Sequence, residues 1–270
     1  DLNATLHQLK PDTNETLWTI TNPAGEHSIA VGVDAPITIN IDGNVGYYCG
    51  GMNSQASIII EGSAGQGVGE NMMSGLIHVK GDASQSAGAT GRGGRLIIEG
   101  NASARCGISM KGIDIVVKGD IGHLSAFMGQ NGRLVVFGEA GEALGDSLYE
   151  AHIYVRGPVA SLGADCIEKE MRDEHRVELI ELLKLAGEAN KVDVSEFRRY
   201  WNGKRTDFAV AVTALIGVIT SDVLTGLIIA VLLALVMVIY RASRPYIAIL
   251  GKVPGMRGAV ETAVRRQGRP

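Results

Sequence analysis

"IIIEGSAGQGVGENMMSGLIHVKG", residues 58–81, begins and ends with a short apolar run that closes on a charged residue and a glycine. The same ending recurs every nineteen residues, seven times in all. The closing glycines are Gly43, Gly62, Gly81, Gly100, Gly119, Gly138 and Gly157. A fixed period of this kind is typical of solenoids, in which each repeat packs only on its neighbours.

Each unit also carries the pattern of a β-strand. Ile, Leu or Val stands four residues before every closing glycine and Ile or Val two residues before it, as at Ile58 and Ile60. This alternation predicts a strand with both aliphatic columns on one face. The residue directly before the glycine is charged in six units and should face solvent, and Phe137 is the exception.

Small residues mark the corners of the predicted coil. Gly, Ser or Ala stands three and again seven residues after every closing glycine, as at Gly65 and Gly69. Tight corners need permissive backbone angles and leave little room for a large side chain. A βαβ unit needs about 30 residues, so nineteen are too few. The sequence therefore predicts an all-β fold, a parallel β-helix of seven coils about 4.8 Å apart. A leucine-rich repeat and a collagen-like tract fit the spacing less well.

Composition excludes several classes of function. The net charge is −4 and no basic patch occurs among the first 165 residues, so a nucleic-acid partner is not expected. The three cysteines, Cys49, Cys106 and Cys166, indicate a reducing compartment and form no metal-binding motif. Cys49 and Cys106 occupy the same coil position three coils apart, about 14 Å, which is too far for a disulfide.

Two further segments follow the repeat. A helix of about 22 residues is predicted from Asp165, the proposed N-cap with Glu168 three residues later, to a stop at Gly187. Beyond it, 208–220 and 223–240 are uncharged, and the second is close to the length of about 20 residues that spans a membrane. Basic residues flank this pair on both sides, which predicts a transmembrane hairpin with both ends cytoplasmic. A buried pair of core helices is the alternative.

The coils, and the run GEALGDSLYEAHIYVRGPVASLGADCIEKEMRDEH (141–175), resemble the GXGXG domain of glutamate synthase-like enzymes. That β-helix is the C-terminal domain of the glutamate synthase large subunit. It also occurs as a stand-alone subunit, including in methylamine–glutamate N-methyltransferase (N-methylglutamate synthase) systems. It also forms the β-helical subunit of formylmethanofuran dehydrogenase, and a scaffold of that type is an alternative relationship. The resemblance covers about residues 1–200.

This resemblance implies a non-catalytic, cytoplasmic structural subunit of an oxidoreductase or transferase complex. It would brace a glutaminase-type subunit against an FMN-containing synthase subunit, with FMN and an iron–sulfur cluster in the partner and no catalytic, cofactor or metal residues in this chain. Two clusters that break the repeat are candidates for the interface between subunits. Their residues are Glu70, Met72, Met73, Arg105, Met110 and Lys111. Packing of the methionines in the core is the alternative interpretation.

The segment from about residue 205 to 270 is similar to the last transmembrane hairpin of sulfate permease-family transporters and the start of their STAS domain. The expected domains are therefore 1–163 (β-helix), 164–204 (helical extension), 205–245 (hairpin) and 246–270 (truncated STAS-like region). The join at 201–205 is either an evolved fusion that tethers the subunit to the inner membrane through 208–240 or, as we favour, an artefact or recent fusion that joins two genes. A fragment of an anion transporter is the alternative function.

Overall fold

The structure is a computed structural model that describes residues 2–188 and 191–202 together with two short strands near the C-terminus. The chain divides into two compact units, Asp1–Gly203 and Lys204–Pro270. In the second unit, β11 (Leu250–Gly251) pairs antiparallel with β12 (Val260–Glu261). The predicted hairpin and most of the permease-like segment lie outside the described residues. Within the described part of the chain, no helix has the length and apolar character needed to cross a membrane.

The first unit is a parallel β-solenoid. It opens with a short helix, α1 (Leu2–Leu6), and eight strands then pair in parallel in the order of the sequence. The strands are β1 (Leu17–Thr21), β2 (Thr38–Asp42), β3 (Ser57–Ile60), β4 (Leu76–Val79), β5 (Arg95–Ile98), β6 (Lys111–Val117), β7 (Asn131–Val136) and β8 (His152–Val155). Strands β2–β8 belong to the seven predicted coils, and β1 adds a strand before them that the repeat did not reveal.

The register of the sheet follows the period of the sequence. Ile58 of β3 pairs with Ile77 of β4, and Ile77 pairs with Leu96 of β5, each nineteen residues further on. A second parallel ladder runs along the coils two residues after the closing glycines, as between Ala64 and Ala83. Both aliphatic columns of the strands are buried in one continuous interior. The predicted inward face is therefore confirmed.

The backbone angles at the corners confirm the prediction that these positions need a permissive backbone. In the coil that follows Gly62, the residues five, seven and nine positions later are left-handed: Gly67 with φ +71°, Gly69 with φ +67° and Asn71 with φ +58°. The equivalent residues of the neighbouring coils repeat this alternation, although only the middle position is usually glycine. Glycine enters this conformation without the steric cost that a Cβ brings.

The closing glycines have a different cause. A Cβ on Gly119 would lie 2.7 Å from the carbonyl oxygen of Gly100 and 2.8 Å from its carbonyl carbon. Because these are backbone atoms of the preceding coil, they cannot move aside without separating the coils. Close stacking, rather than a special φ, therefore explains the glycine in six of the seven units; Gly43, in the first, has φ +137° and its added Cβ would meet only the Pro23 side chain.

A column of polar side chains also ties the coils together. The residue after each of the first five closing glycines accepts a hydrogen bond from the backbone amide one coil later. The Asp82 carboxylate accepts from the Asn101 amide at 2.7 Å, and the Asn101 side chain accepts from the Asp120 amide at 2.9 Å. Each of these bonds gives a backbone donor of one coil a partner in the coil before it.

The segment after the coils differs from the prediction of one long helix from Asp165. Residues Cys166–Lys169 form β9, and the helix α2 runs only over Asp173–Leu185, with Arg172 as its N-cap. After a 3-10 turn at Val194–Glu196, β10 (Arg198–Asn202) enters antiparallel between β8 and β9. The start of the predicted helix was wrong because the partner of β9 comes some thirty residues later in the chain, where local patterns cannot detect it.

The predicted end of the helix is confirmed. Gly187 has φ +76°, its amide donates to the Lys184 carbonyl at 3.0 Å, and the Glu188 amide donates to the Leu183 carbonyl at 2.7 Å. This pair of bonds is the Schellman arrangement, which satisfies the last carbonyls of a helix.

Helix α2 covers the outer face of the last coils. Val116, Val135 and Tyr154 point outward from β6, β7 and β8, and they pack on Leu179 and Leu182 of the helix. Phe137, the one uncharged residue in its column, joins the same cluster and contacts Phe197 edge-on, with ring centroids 5.6 Å apart. The segment from β9 to β10 is thus part of the first compact unit and packs on the solenoid.

Candidate functional site

A cluster of charged side chains, centred on Glu178, lies beside the apolar contacts that α2 makes with β6, β7 and β8. Its carboxylate accepts hydrogen bonds from the Tyr154 hydroxyl and from Nδ1 of His152, the latter at 3.0 Å. Arg133 approaches it at 3.6 Å and holds the Asp114 carboxylate with two bonds of 2.7 and 2.6 Å. Three neighbouring strands and one helix therefore meet through a single network.

The network fixes the charge of Glu178. Burial would raise the pKa of this carboxyl, but the hydrogen bonds from His152 and Tyr154 and the charge of Arg133 outweigh it and lower the pKa to about 2. Burial and the neighbouring Glu178 raise the pKa of the Tyr154 hydroxyl. Glu178 is thus an ionised acceptor at neutral pH, which suits a structural link better than proton transfer.

Two open pockets adjoin the network and share His152, Glu178 and Trp201. The first, of about 560 Å³, extends along the first residues of β6 and β7, where Asp114 and Arg133 line it. The second, of about 520 Å³, lies between the start of α2 and the strands β9 and β10. Its lining residues are His152, Lys169, Arg172, Glu174, His175, Glu178, Arg199 and Trp201.

In the second pocket, two cations lie close to the ring of Trp201 of β10. The Lys169 ammonium is 4.4 Å from the centroid of its ring, and the Arg199 guanidinium carbon is 5.0 Å from it. Arg199 is only 4% exposed. Nε of Arg199 and Nε1 of Trp201 are buried and have no hydrogen-bond partner. This is an unusual arrangement, because buried donors are nearly always paired.

The cysteines are not placed for chemistry. Cys49, Cys106 and Cys166 are free and buried. Burial raises the pKa of each thiol to about 12. A thiol of this kind is inert, because the thiolate is the nucleophile and the metal ligand. Over the described ranges, no group of three or more His, Cys, Asp or Glu side chains could hold a metal ion.

A ladder of ion pairs crosses the outer face of β4–β6. His78 of β4 is half-buried, and its Nε2 lies 2.6 Å from the Glu99 carboxylate. Lys118 bridges Glu99, at 2.5 Å, and Glu188, at 2.7 Å. Glu188 follows α2, so this ladder fastens the end of the helix to the solenoid.

The candidate interface residues fall into two groups. Met72 and Met110 are fully buried in the solenoid interior, so their side chains are closed to a partner, in agreement with the core-packing alternative. Met73, Arg105 and Lys111 are exposed and Glu70 is half-buried. Met73 and Lys111 occupy the same coil position two coils apart, whereas Arg105 and Glu70 stand at other positions of the coil. The structure thus does not gather the six into one patch.

The cluster around Glu178 and Trp201 was not found from the sequence. Its members come from β6 to β10 and from α2, so no local motif contains them. The segment RRYWN (198–202), which forms β10, lies in the part of the chain expected as a helical extension, and its sequence has no alternation that would indicate a strand.

The fold and these contacts define the class of protein: a parallel β-solenoid whose last coils are closed by a helix and an antiparallel strand. No protein-family model matches the chain. The chain is 58% identical over 205 residues to Protein GlxC of Rhizobium meliloti (strain 1021), a match that spans 76% of this chain and 90% of the relative. The chain therefore belongs to the GlxC family.

Proposed function

We propose that this chain is a non-catalytic structural subunit of a glutamate synthase-like oxidoreductase or of an N-methylglutamate synthase complex. The proposal rests on the solenoid itself, whose nineteen-residue coils resemble the GXGXG domain of those enzymes. Membership of the GlxC family is compatible with this assignment. The buried, inert thiols support a place in a reducing compartment, which we take to be the cytoplasm.

The role we propose is to brace two catalytic subunits. A glutaminase-type subunit and an FMN-containing synthase subunit would bind the outside of the solenoid, and FMN and an iron–sulfur cluster would belong to the partner. The polar side chains in the ladders between coils are occupied in holding the stack together, as Asp82 and Asn101 illustrate. This leaves them poorly suited to catalysis and well suited to a rigid support.

Exposed apolar side chains support contact with another protein. Met52 and Met128 stand nine residues after a closing glycine, Met73 and Tyr149 eleven residues after one, and all four are 39–48% exposed. Equivalent positions of the coils stack above one another, so these side chains lie in two pairs along one edge of the solenoid, with Arg92 and Lys111 between the pairs. Methionine and tyrosine are common at protein interfaces because they adapt to a partner and bury a large area.

Co-expression of the full chain with a glutaminase-type subunit and an FMN synthase subunit tests this function. We expect a ternary complex in size-exclusion chromatography with light scattering, and a flavin spectrum that depends on the synthase subunit. Met73→Glu should weaken assembly because it replaces an exposed apolar side chain of this edge with a charge, whereas Glu61→Lys, an exposed change outside the edge, should not. Flavin bound by this chain alone, or no association with either subunit, would exclude the scaffold.

A further inference from the structure

We propose that the pocket between the N-terminus of α2 and the strands β9 and β10 binds a small oxyanion, a carboxylate or a phosphate. We call it the anion pocket, and its binding residues are Lys169, Arg172, Arg199 and Trp201. This role is additional to the structural function proposed above, because a brace needs no ligand of its own.

The first observation is an unbalanced buried cation. Arg199 is almost completely buried, yet within the described residues no carboxylate lies within 4 Å of its guanidinium. The other buried or half-buried cations of this region have acidic partners: Arg133 has Asp114 and Lys118 has Glu99 and Glu188. A buried charge is costly unless it is paired, so an anion from outside the chain is the natural partner.

The second observation is the pair of unsatisfied donors. Nε of Arg199 and Nε1 of Trp201 are both buried without a hydrogen-bond partner, and both side chains line the same pocket. Leaving a buried donor unpaired costs about 1–3 kcal/mol in general, more when the group is charged. Two such donors at one pocket indicate a site that is completed by acceptor oxygens.

The acids that line the pocket are already engaged. Glu178 is bound to Tyr154, His152 and Arg133. Glu174 is largely exposed and lies 3.6 Å from Arg172 and 3.5 Å from His175. Neither acid therefore neutralises Arg199, and the cationic side chains of Lys169 and Arg199 dominate the wall around Trp201.

The start of α2 adds to the positive electrostatic potential of the pocket. Arg172 is the N-cap of the 13-residue helix and lines the pocket, so the positive end of the helix dipole lies there. His175 accepts the Arg172 amide hydrogen on Nδ1 at 3.2 Å, which leaves Nε2 of the neutral ring to carry the proton. Burial and the charge of Arg199 lower the pKa of His175, in keeping with this neutral, donating form.

The class of ligand follows from the donors and the size. A guanidinium fork binds carboxylate and phosphate oxygens in pairs, and a pocket of about 520 Å³ holds a small molecule. Lys169 contributes a point charge over the face of the indole ring, at the side of the pocket that the guanidinium also lines.

Trp201 provides a direct test, because the chain has only two tryptophans, Trp18 and Trp201. In a Trp18→Phe background of the full chain, Trp201 fluorescence would be titrated with inorganic phosphate and, separately, with succinate, at constant ionic strength against chloride. A saturable change is expected with at least one probe, and the comparison of the two distinguishes a phosphate site from a carboxylate site.

Variants connect the signal to the pocket. Arg199→Lys keeps the charge and loses the fork, and Lys169→Gln removes a cation, so each should weaken binding about tenfold. The control is Arg176→Gln, which lies on α2 but outside the pocket and should bind the probes like the parent chain. A linear response to both probes, or equal affinity in all three variants, would overturn the proposal. Unchanged far-ultraviolet circular dichroism of each variant shows that the fold is intact.

Discussion

The coils at β3 and β4 and those at β7 and β8 share one repeat but have different outer faces. Ile59 and His78 are half-buried on the uncovered coils, whereas Val135 and Tyr154, at the same strand position, are completely buried under α2. Their inward columns are alike, because Ile58, Ile77, Leu134 and Ile153 are all fully buried. The repeat thus builds the stack, and departures from it decide where the rest of the chain docks.

The largest effect is expected where the repeat is most strict. Gly119→Ala should reduce the free energy of unfolding by about 3 kcal/mol, because the new Cβ would press on the backbone of Gly100. Gly187→Ala is the matched control: φ is +76° and nothing lies within 4 Å of the added Cβ, so backbone strain alone should cost about 1 kcal/mol. Urea denaturation measures both, and equal losses would contradict the stacking explanation.

The covered and uncovered faces can be compared directly with a second pair of variants. Val135→Ala should cost about 2 kcal/mol, since it leaves a cavity under α2. Ile59→Ala removes more atoms but should cost less than about 1 kcal/mol, because the half-buried site can fill with water. The same denaturation experiment checks this order, and a larger loss for Ile59→Ala would show that α2 does not seal the outer face.

The smallest of the three effects concerns the charge that anchors α2. The pKa of Glu178 in the fold, about 2, lies below its ordinary value of 4.5, so this carboxylate stabilises the fold above pH 4.5 and progressively less as the pH falls towards 2. Glu178→Gln should lose about 1.5 kcal/mol at neutral pH, a value discounted for partial exposure, and the deficit should shrink in acid.

Thermal unfolding between pH 2.5 and 7 measures this trend, with Glu181→Gln, an exposed position of the same helix, as the control. A deficit for Glu178→Gln that stays constant from pH 7 to pH 2.5 would mean that the network does not hold the carboxylate ionised.

Much of the fold could be predicted because each coil is specified locally. The period, the inward aliphatic columns at Ile58 and Ile60, and the permissive corner at Gly69 all follow from contacts with the same position one coil away. The stop at Gly187 was predictable for a similar reason, since a helix end depends on a few consecutive residues. The first strand, β1, was missed because it lies before the repeat and pairs with β2 at a different spacing, Leu17 with Thr38.

The candidate site could not be predicted in this way. Glu178 is partnered by His152 and Tyr154, some 24–26 residues away, and Arg199 reaches the pocket only because β10 turns back between β8 and β9. No spacing rule connects these positions. For the same reason the residues of β9 were predicted as the start of a helix, since nothing near them in the sequence indicates the strand they pair with.

By itself, therefore, the sequence determined the solenoid: its period, the positions of its glycines and its apolar interior. It could do so because each repeat contacts the same positions of the next repeat at a constant offset. Only the tertiary structure decided that Met72 and Met110 face inward, that 198–202 is a strand of the same sheet, and that Arg199 and Trp201 share a pocket. Those features depend on contacts between segments that do not repeat, and such contacts exist only once the chain has folded.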